Sequence, residues 1–223
     1  MTDHLALFDL DHTLLPVDSD YEWAAFLIDQ GVVDAAEHKK NNDAFYGQYK
    51  AGTLNIAEFL AFQLKPLARF DKPTLNEWHA QFMRDRIIPN IKPSAQKLVE
   101  GHLARNDLCI LITATNEFVT APIARAFSID HLIAVQLETK DDRYTGAPTG
   151  IPSFREGKIT RLHAYLNERG MALDQFVSST FYSDSLNDLP LLAQVTHPVA
   201  TNPDPTLRAK AVAAGWPVLE LFA

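Results

Sequence analysis

Apolar residues fall along this chain in short unbroken runs at its start and through its second half, and at helical spacing between them. Residues 5–10 form an apolar run broken only by Asp9 and followed by polar residues and Pro16; it is too short for a helix and predicts a buried strand. Four helices are predicted next, with no strand among them. Residues 20–30 carry Tyr21, Ala24, Ala25, Leu27 and Ile28 at helical spacing, with residues 18–20 as cap candidates and Gly31 as a stop. Residues 34–51 stop at Gly52, residues 55–67 open with Asn55 and Glu58 in capping-box spacing, and residues 74–88 open with Thr74 and Glu77 in the same spacing. Beyond Pro89 and Pro93 the pattern alternates. Helices are predicted over 94–105, 117–127, 156–169 and 205–214 and from Asp188, strands over 108–112, 132–137, 176–182, 197–200 and 218–221. Residues 140–152, rich in Gly, Pro, Asp and Thr, predict a hairpin or flap near the active edge. This alternation predicts an α/β fold with a doubly wound parallel sheet. Its core is residues 1–15 and 90–223, and an all-helical cap domain, residues 16–89, is inserted after the first strand as a natural lid.

Composition narrows the function. A chain of 223 residues, 47% hydrophobic and 22% charged, is long enough for one large core with an insertion and is not of disordered composition. Twenty Lys and Arg stand against 28 Asp and Glu, a net charge of −8, which opposes a nucleic-acid partner. The single cysteine, Cys109, lies in an apolar run, so neither an intrachain disulfide nor a thiolate zinc site is expected, and a reducing cytoplasm fits. No apolar run approaches the roughly 20 residues that span a bilayer, and the polar residues 1–4 lead straight into the first strand, so neither membrane nor export is expected. The eight histidines form no i, i+4 pair, so any metal is expected to be held by oxygen.

Ligands of open α/β sheets bind beyond the carboxyl ends of the strands, and several predicted ends here are polar. The first empties into Asp9, Asp11, His12 and Thr13, the second into Thr113, the strand over 176–182 into residues 183–188; Lys158 starts the helix after the flap. Asp9 and Asp11, two apart, share a face of a regular strand unless a turn re-aims one carbonyl. Carboxylates so close repel, and Asp9, Asp11 and Asp184 as an all-oxygen set suit Mg²⁺. Thr113 can donate to a phosphoryl oxygen and Lys158 can offset charge there. An Asp nucleophile can accept the phosphoryl group as an acyl phosphate, with Asp11 placed to protonate the leaving oxygen and later deprotonate water. Other readings stand beside these: Thr113 as the N-cap of the helix at Glu117, His12 as a turn residue, and Asp188 as a helix cap.

At these positions the chain resembles the haloacid dehalogenase superfamily, in the branch with a helical cap after the first motif, typified by phosphoserine phosphatase. The residues that carry the likeness are 9–14 (Asp-Leu-Asp-His-Thr-Leu), 110–113, Gly157-Lys158, and Asp184, Asn187 and Asp188, with further likeness at Thr145-Gly146 and residues 202–204. The resemblance implies a Rossmann-like core, Asp9 as nucleophile and Asp11 as acid-base. It also implies Mg²⁺ bound by the Asp9 and Asp184 side chains and the Asp11 carbonyl, with Asn187 and Asp188 in support.

Departures from that pattern bear on the substrate. The second motif has Thr113-Ala114-Thr115 where those enzymes have Ser-Gly-Gly, which puts Ala114 beside the substrate. Ala61 stands where they have a carboxylate-binding Arg, which points away from phosphoserine, and Asp18, one methylene shorter, where they have a Glu that contacts the substrate amine. Asp18, Tyr21, Glu22 and Trp23 form an acidic and aromatic group suited to a cationic or imidazole-bearing ester, such as histidinol phosphate. Tyr21 and Trp23, two apart, cannot both face one side of a regular helix. The expected activity is a Mg²⁺-dependent phosphomonoester hydrolase for a small metabolite. The alternatives are a phosphoserine phosphatase or a phosphotransferase of the same superfamily and, more distantly, a signalling receiver, whose acidic pair precedes its phosphorylated Asp on a separate strand.

Overall fold

The computed structural model describes residues 3–50 and 53–222. Seven strands form one sheet: β1 (His4–Phe8), β2 (Leu108–Asn116), β3 (His131–Lys140), β4 (Arg143–Thr149), β5 (Ser178–Ser183), β6 (His197–Thr201) and β7 (Val218–Leu219), in the spatial order β4-β3-β2-β1-β5-β6-β7. All neighbours are parallel except the β3–β4 hairpin. The expected doubly wound α/β sheet is therefore borne out, with β1 at its centre and the order reversing between β1 and β5.

Side-chain alternation explains why β1 is central. Ala6 and Phe8 point into one hydrophobic cluster with Cys109 and Leu111, while Leu5 and Leu7 point into the other with Ile110 and Ile112. A strand buried on both faces brings its carboxyl end, and Asp9 with it, to the crevice where the strand order reverses.

Between β1 and β2 lie four helices: α1 (Ser19–Asp29), α2 (Ala35–Lys50), α3 (Ile56–Leu64) and α4 (Lys72–Phe82). The stop read at Gly52 lies outside the described residues. Helix α1 is capped by Asp18, whose side chain accepts from the Tyr21 amide. Asn55 caps α3 and binds Glu58 through its amide nitrogen at 2.8 Å. Pro66, which lacks an N–H, turns the continuation of that helix into a 3₁₀ segment over Lys65–Arg69. The start predicted at Thr74 moves forward: Asp71 is the cap, Pro73 fits the first turn, and Thr74 supplies only its amide to Asp71. Beyond α4 the chain takes a π turn over Met83–Ile87 and a 3₁₀ turn over Ile88–Asn90. Trp23, Phe26, Leu64, Leu75 and Phe82 share one cluster with Phe8 and Leu111, so this helical segment packs on one face of the sheet.

The remaining helices are α5 (Pro93–Leu103), α6 (Glu117–Ala126), α7 (Glu156–Asn167), α8 (Leu189–Leu192) and α9 (Pro205–Ala214). Strand β2 runs past its predicted end to Asn116, after a register shift beyond Ile112, and Asn116 rather than Thr113 caps α6. The β3–β4 hairpin turns at Asp141 and Asp142, both at positive φ (47° and 58°). It rests on the helical segment, where Gly146 leaves room for Ala68 and Lys72 reaches Asp142 at 2.8 Å. Among the described residues no helix is long and apolar enough to cross a membrane.

The entry to α7 is tight. Arg155 adopts φ 50° and ψ −123°, and a Cβ on Gly157 would lie 2.1 Å from the Pro152 carbonyl oxygen. Gly157→Ala must shift the turn that delivers Lys158, so we expect it to destabilise the fold by about 1–3 kcal/mol. Thermal unfolding checks this, and an unchanged melting temperature would show that the turn yields freely.

Candidate active site

The carboxyl ends of β1 and β5 and the start of α7 bring three charged groups into contact. Lys158, buried in the first turn of α7, donates to Asp9 Oδ1 at 2.8 Å and to Asp188 Oδ2 at 2.7 Å. Ser183, the last residue of β5, donates to the same Asp188 oxygen at 2.7 Å. Burial acts to lower the Lys158 pKa, but Asp188 and Asp9 outweigh it and hold the ammonium above its ordinary value.

Thr13 joins Asp9 to Asp184. Its hydroxyl lies 3.5 Å from Asp9 Oδ2 and 3.2 Å from Asp184 Oδ1, and accepts from the Asp184 amide at 2.9 Å. A hydroxyl has one proton, so the two carboxylates compete for it. Burial, then the charges of Asp9 and Asp188, raise Asp184 well above the usual carboxylate range. Asp9 is pushed up to about 6, by burial first and Asp188 next, while Lys158 pulls it down.

Asp11 is turned elsewhere. Its Oδ1 accepts from the Ser19 amide at 2.7 Å and its Oδ2 from the Thr115 hydroxyl at 2.9 Å. Burial, and then the charge of Asp18, push it up to about 7. Among the described residues no three His, Cys, Asp or Glu side chains form a ready metal cage. Side-chain oxygens come from Asp9, which is buried, and Asp184, which is half-buried, and a cation between two carboxylates that share one proton donor fits the set. A hard ion that takes its other ligands from carbonyls and water suits it best.

The turn after β1 is braced from below. His12 sits at φ 58° with its side chain exposed, and its carbonyl and that of Thr13 accept from Asn202 Nδ2 at 3.0 and 3.2 Å. Asp204 donates its amide to the Asp184 carbonyl and accepts from the Leu186 amide at 3.1 Å. Thr113 is buried and accepts from the Thr115 amide at 3.1 Å, which leaves its proton to donate elsewhere; Ala114 is half-buried beside it. Asn187 accepts from Arg155 Nε at 2.9 Å.

The group read from residues 18–23 is separated by the fold. Asp18 caps α1. Tyr21 is 57% exposed and points to solvent. Glu22 pairs with Arg86 at 3.1 Å. Trp23 is 3% exposed, with its ring packed 5.2 Å from Phe82 and 5.4 Å from Phe118. Helical spacing explains the split, since neighbouring residues diverge by about 100° around the axis. Thr115, Thr13 and Ser183, each bound to a site carboxylate, lie in the polar stretches read from the sequence but were given no role there. Small hydroxyl residues beside each acidic motif were the available signal.

The sequence model for haloacid dehalogenase-like hydrolases matches residues 6–193. A histidinol-phosphatase of Neisseria meningitidis serogroup C (strain 8013) is 50% identical over 217 residues, covering 97% of this chain and 98% of that protein. A crystal structure of a protein of unknown function from Bordetella pertussis Tohama I superposes with a TM-score of 0.94 at 53% identity over 100% of both chains. A substrate-bound phosphoserine phosphatase superposes at 0.66 with 18% identity, over 98% of this chain and 93% of that one, a likeness of fold.

Asp9 gives a pH signature for metal-free protein. A folded pKa near 6 against 3.8 unfolded means that ionising Asp9 costs stability, fully so above pH 6 and not at all below pH 3.8. Asp9→Asn removes that cost. We expect the metal-free variant to be more stable than wild type at pH 7.5, by on the order of 2 kcal/mol, with the gap closing towards pH 4. Denaturant unfolding at both pH values checks this, and a gap that widens on acidification would contradict it.

Proposed function

Since the chain belongs to the haloacid dehalogenase-like hydrolases and is a phosphatase, we propose that it hydrolyses histidinol phosphate through a phosphorylated Asp9, with Mg²⁺ as its cofactor. The observation that carries the mechanism is the different company of two neighbouring carboxyls. Asp9 has the Lys158 ammonium at 2.8 Å, which favours the ionised nucleophile, whereas Asp11, half-buried, has no cation and lies near the charge of Asp18, which favours the proton-bearing acid. The substrate is supported by the Neisseria meningitidis relative, which is 50% identical along nearly its whole length.

A carboxylate oxygen of Asp9 attacks phosphorus, the bond to the ester oxygen breaks, and Asp11 gives its proton to the departing alkoxide. Asp11, now a carboxylate, takes a proton from water whose oxygen attacks the acyl phosphate; inorganic phosphate leaves and Asp9 returns. Asp11 is held for both tasks by Ser19 and Thr115. Thr113 donates its remaining proton to a phosphoryl oxygen, and Lys158 faces the charge that gathers there. Asp188, bound to both Lys158 and Ser183, keeps the ammonium in place. Asn187 supports the adjoining loop through Arg155. The side chains of Asp9 and Asp184 and the Asp11 carbonyl would hold Mg²⁺, which would supply positive charge against the phosphoryl oxygens. The helical segment of residues 16–89 serves as the cap that encloses the alcohol half and excludes bulk water.

Phosphate release from histidinol phosphate, phosphoserine and sugar phosphates, with and without Mg²⁺, tests the proposal. We expect Mg²⁺-dependent turnover with histidinol phosphate preferred, and a loss of about 10³-fold or more in Asp9→Asn. A variant that keeps wild-type turnover would remove Asp9 as nucleophile. Transfer to added alcohols outrunning phosphate release would make the enzyme a phosphotransferase.

A further inference from the structure

We propose that Asp20 is a specificity-determining residue that binds an ammonium group on the alcohol half of the ester. This deepens the reading above and rests on it for the place of the phosphoryl group. Asp20 stands in the first turn of α1, two residues after the cap Asp18. Positions 20, 23, 24 and 27 follow one helical face, and all four are buried. On that face Trp23 packs against Phe118 of α6, so the face looks towards the sheet end where β2 passes into α6. Tyr21, the next residue, is turned to solvent. The start of α1 is itself fastened to the site, because the Ser19 amide donates to Asp11 at 2.7 Å. Asp20 is thus one residue from the backbone group that holds the acid-base carboxyl.

Asp20 is 8% exposed, and no hydrogen bond within the described residues satisfies its carboxyl. The charged groups that face it are Asp18 and Asp11, both acidic. No cation acts on it: Lys158 lies between Asp9 and Asp188, and Arg86, the cation bound to α1, lies between Glu22 and Asp29. Asp18 gives one oxygen to its helix cap, whereas Asp20 has no such duty. A buried carboxyl among like charges is expensive unless a cation arrives. Burial, then Asp18 and Asp11, raise its pKa well above the usual range, as expected of a carboxyl awaiting that cation. A primary ammonium carries three donors and one charge, and so meets both needs.

The test compares ester pairs that differ by the ammonium alone: histidinol phosphate with its deamino analogue, and phosphoethanolamine with ethyl phosphate. The readout is the ratio of kcat/KM within each pair, for wild type and Asp20→Asn. We expect wild type to favour the ammonium-bearing member and Asp20→Asn to cut that ratio roughly tenfold to a hundredfold, chiefly through KM. Asp20→Asn should also melt higher than wild type without ligand, since an unpaired buried charge is gone. A ratio left unchanged in whichever pair wild type turns over would overturn the proposal. Should the variant not fold, inhibition of wild type by histidinol against its deamino analogue decides instead: equal inhibition by both alcohols counts against Asp20. Turnover of phosphoethanolamine with inertness towards histidinol phosphate would overturn the proposed substrate and leave the ammonium site standing.

Discussion

The ammonium of Lys158 lies 2.8 Å from Asp9 and 2.7 Å from Asp188, and through it three distant stretches of chain meet at one point. Asp9 closes the central strand, Lys158 comes from the tight turn into α7, and Asp188 follows β5. Each of the three is buried, and the ammonium is what holds the two carboxylates together; removing the lysine would leave both without their cation, at a cost of about 3–5 kcal/mol. Together they require the strand end, the helix start and the loop after β5 to arrive in fixed positions. The clash that keeps Gly157 bare and the positive φ of Arg155 record how closely that delivery is constrained.

Negative charge exceeds positive charge at this end of the sheet. Asp9, Asp184 and Asp188 stand around one ammonium, with Asp11, Asp18 and Asp20 beyond. The surplus gives the site its chemical direction. It favours cations from outside, and it divides labour among carboxyls that would otherwise be alike. Lys158 pulls Asp9 down against its burial, whereas Asp11 has no such partner and is pushed up further by Asp18, and the fold sets these neighbours through Thr13, Thr115, Ser19 and Ser183.

The helical segment is coupled to the sheet through packing as well as polar contacts. Trp23 is stacked with Phe26 and His79 and lies edge-on to Phe82 and Phe118, which joins α1, α4 and α6. Arg86, in the π turn that returns the chain towards the sheet, binds Glu22 and Asp29 of α1. Helix α1 is therefore held at its start by Asp11 and along its length by aromatic rings and Arg86. Residues 18–20 keep a set position over the carboxyls, which is what discrimination among substrates demands.

The apolar runs and polar strand ends were enough to predict the sheet, because a parallel strand buried on both faces has no polar alternation to blur it, and Asp9 must then emerge at its carboxyl end. Polar residues at predicted strand ends likewise singled out Asp9, Asp11 and Asp184, with Lys158 at a helix start, and the family resemblance added Asp188 in support. Local geometry was less legible. Asp71 rather than Thr74 caps α4 because Pro73 fits the first turn, and Trp23 packs on Phe82 and Phe118, both more than fifty positions away. The partners of Asp11 and the isolation of Asp20 depend on how α1 is rotated over the sheet. That rotation is a compromise among side chains from α1, α4 and α6, and no stretch of sequence contains it; the chain by itself determined which residues could carry the chemistry, and tertiary packing decided which of them face one another.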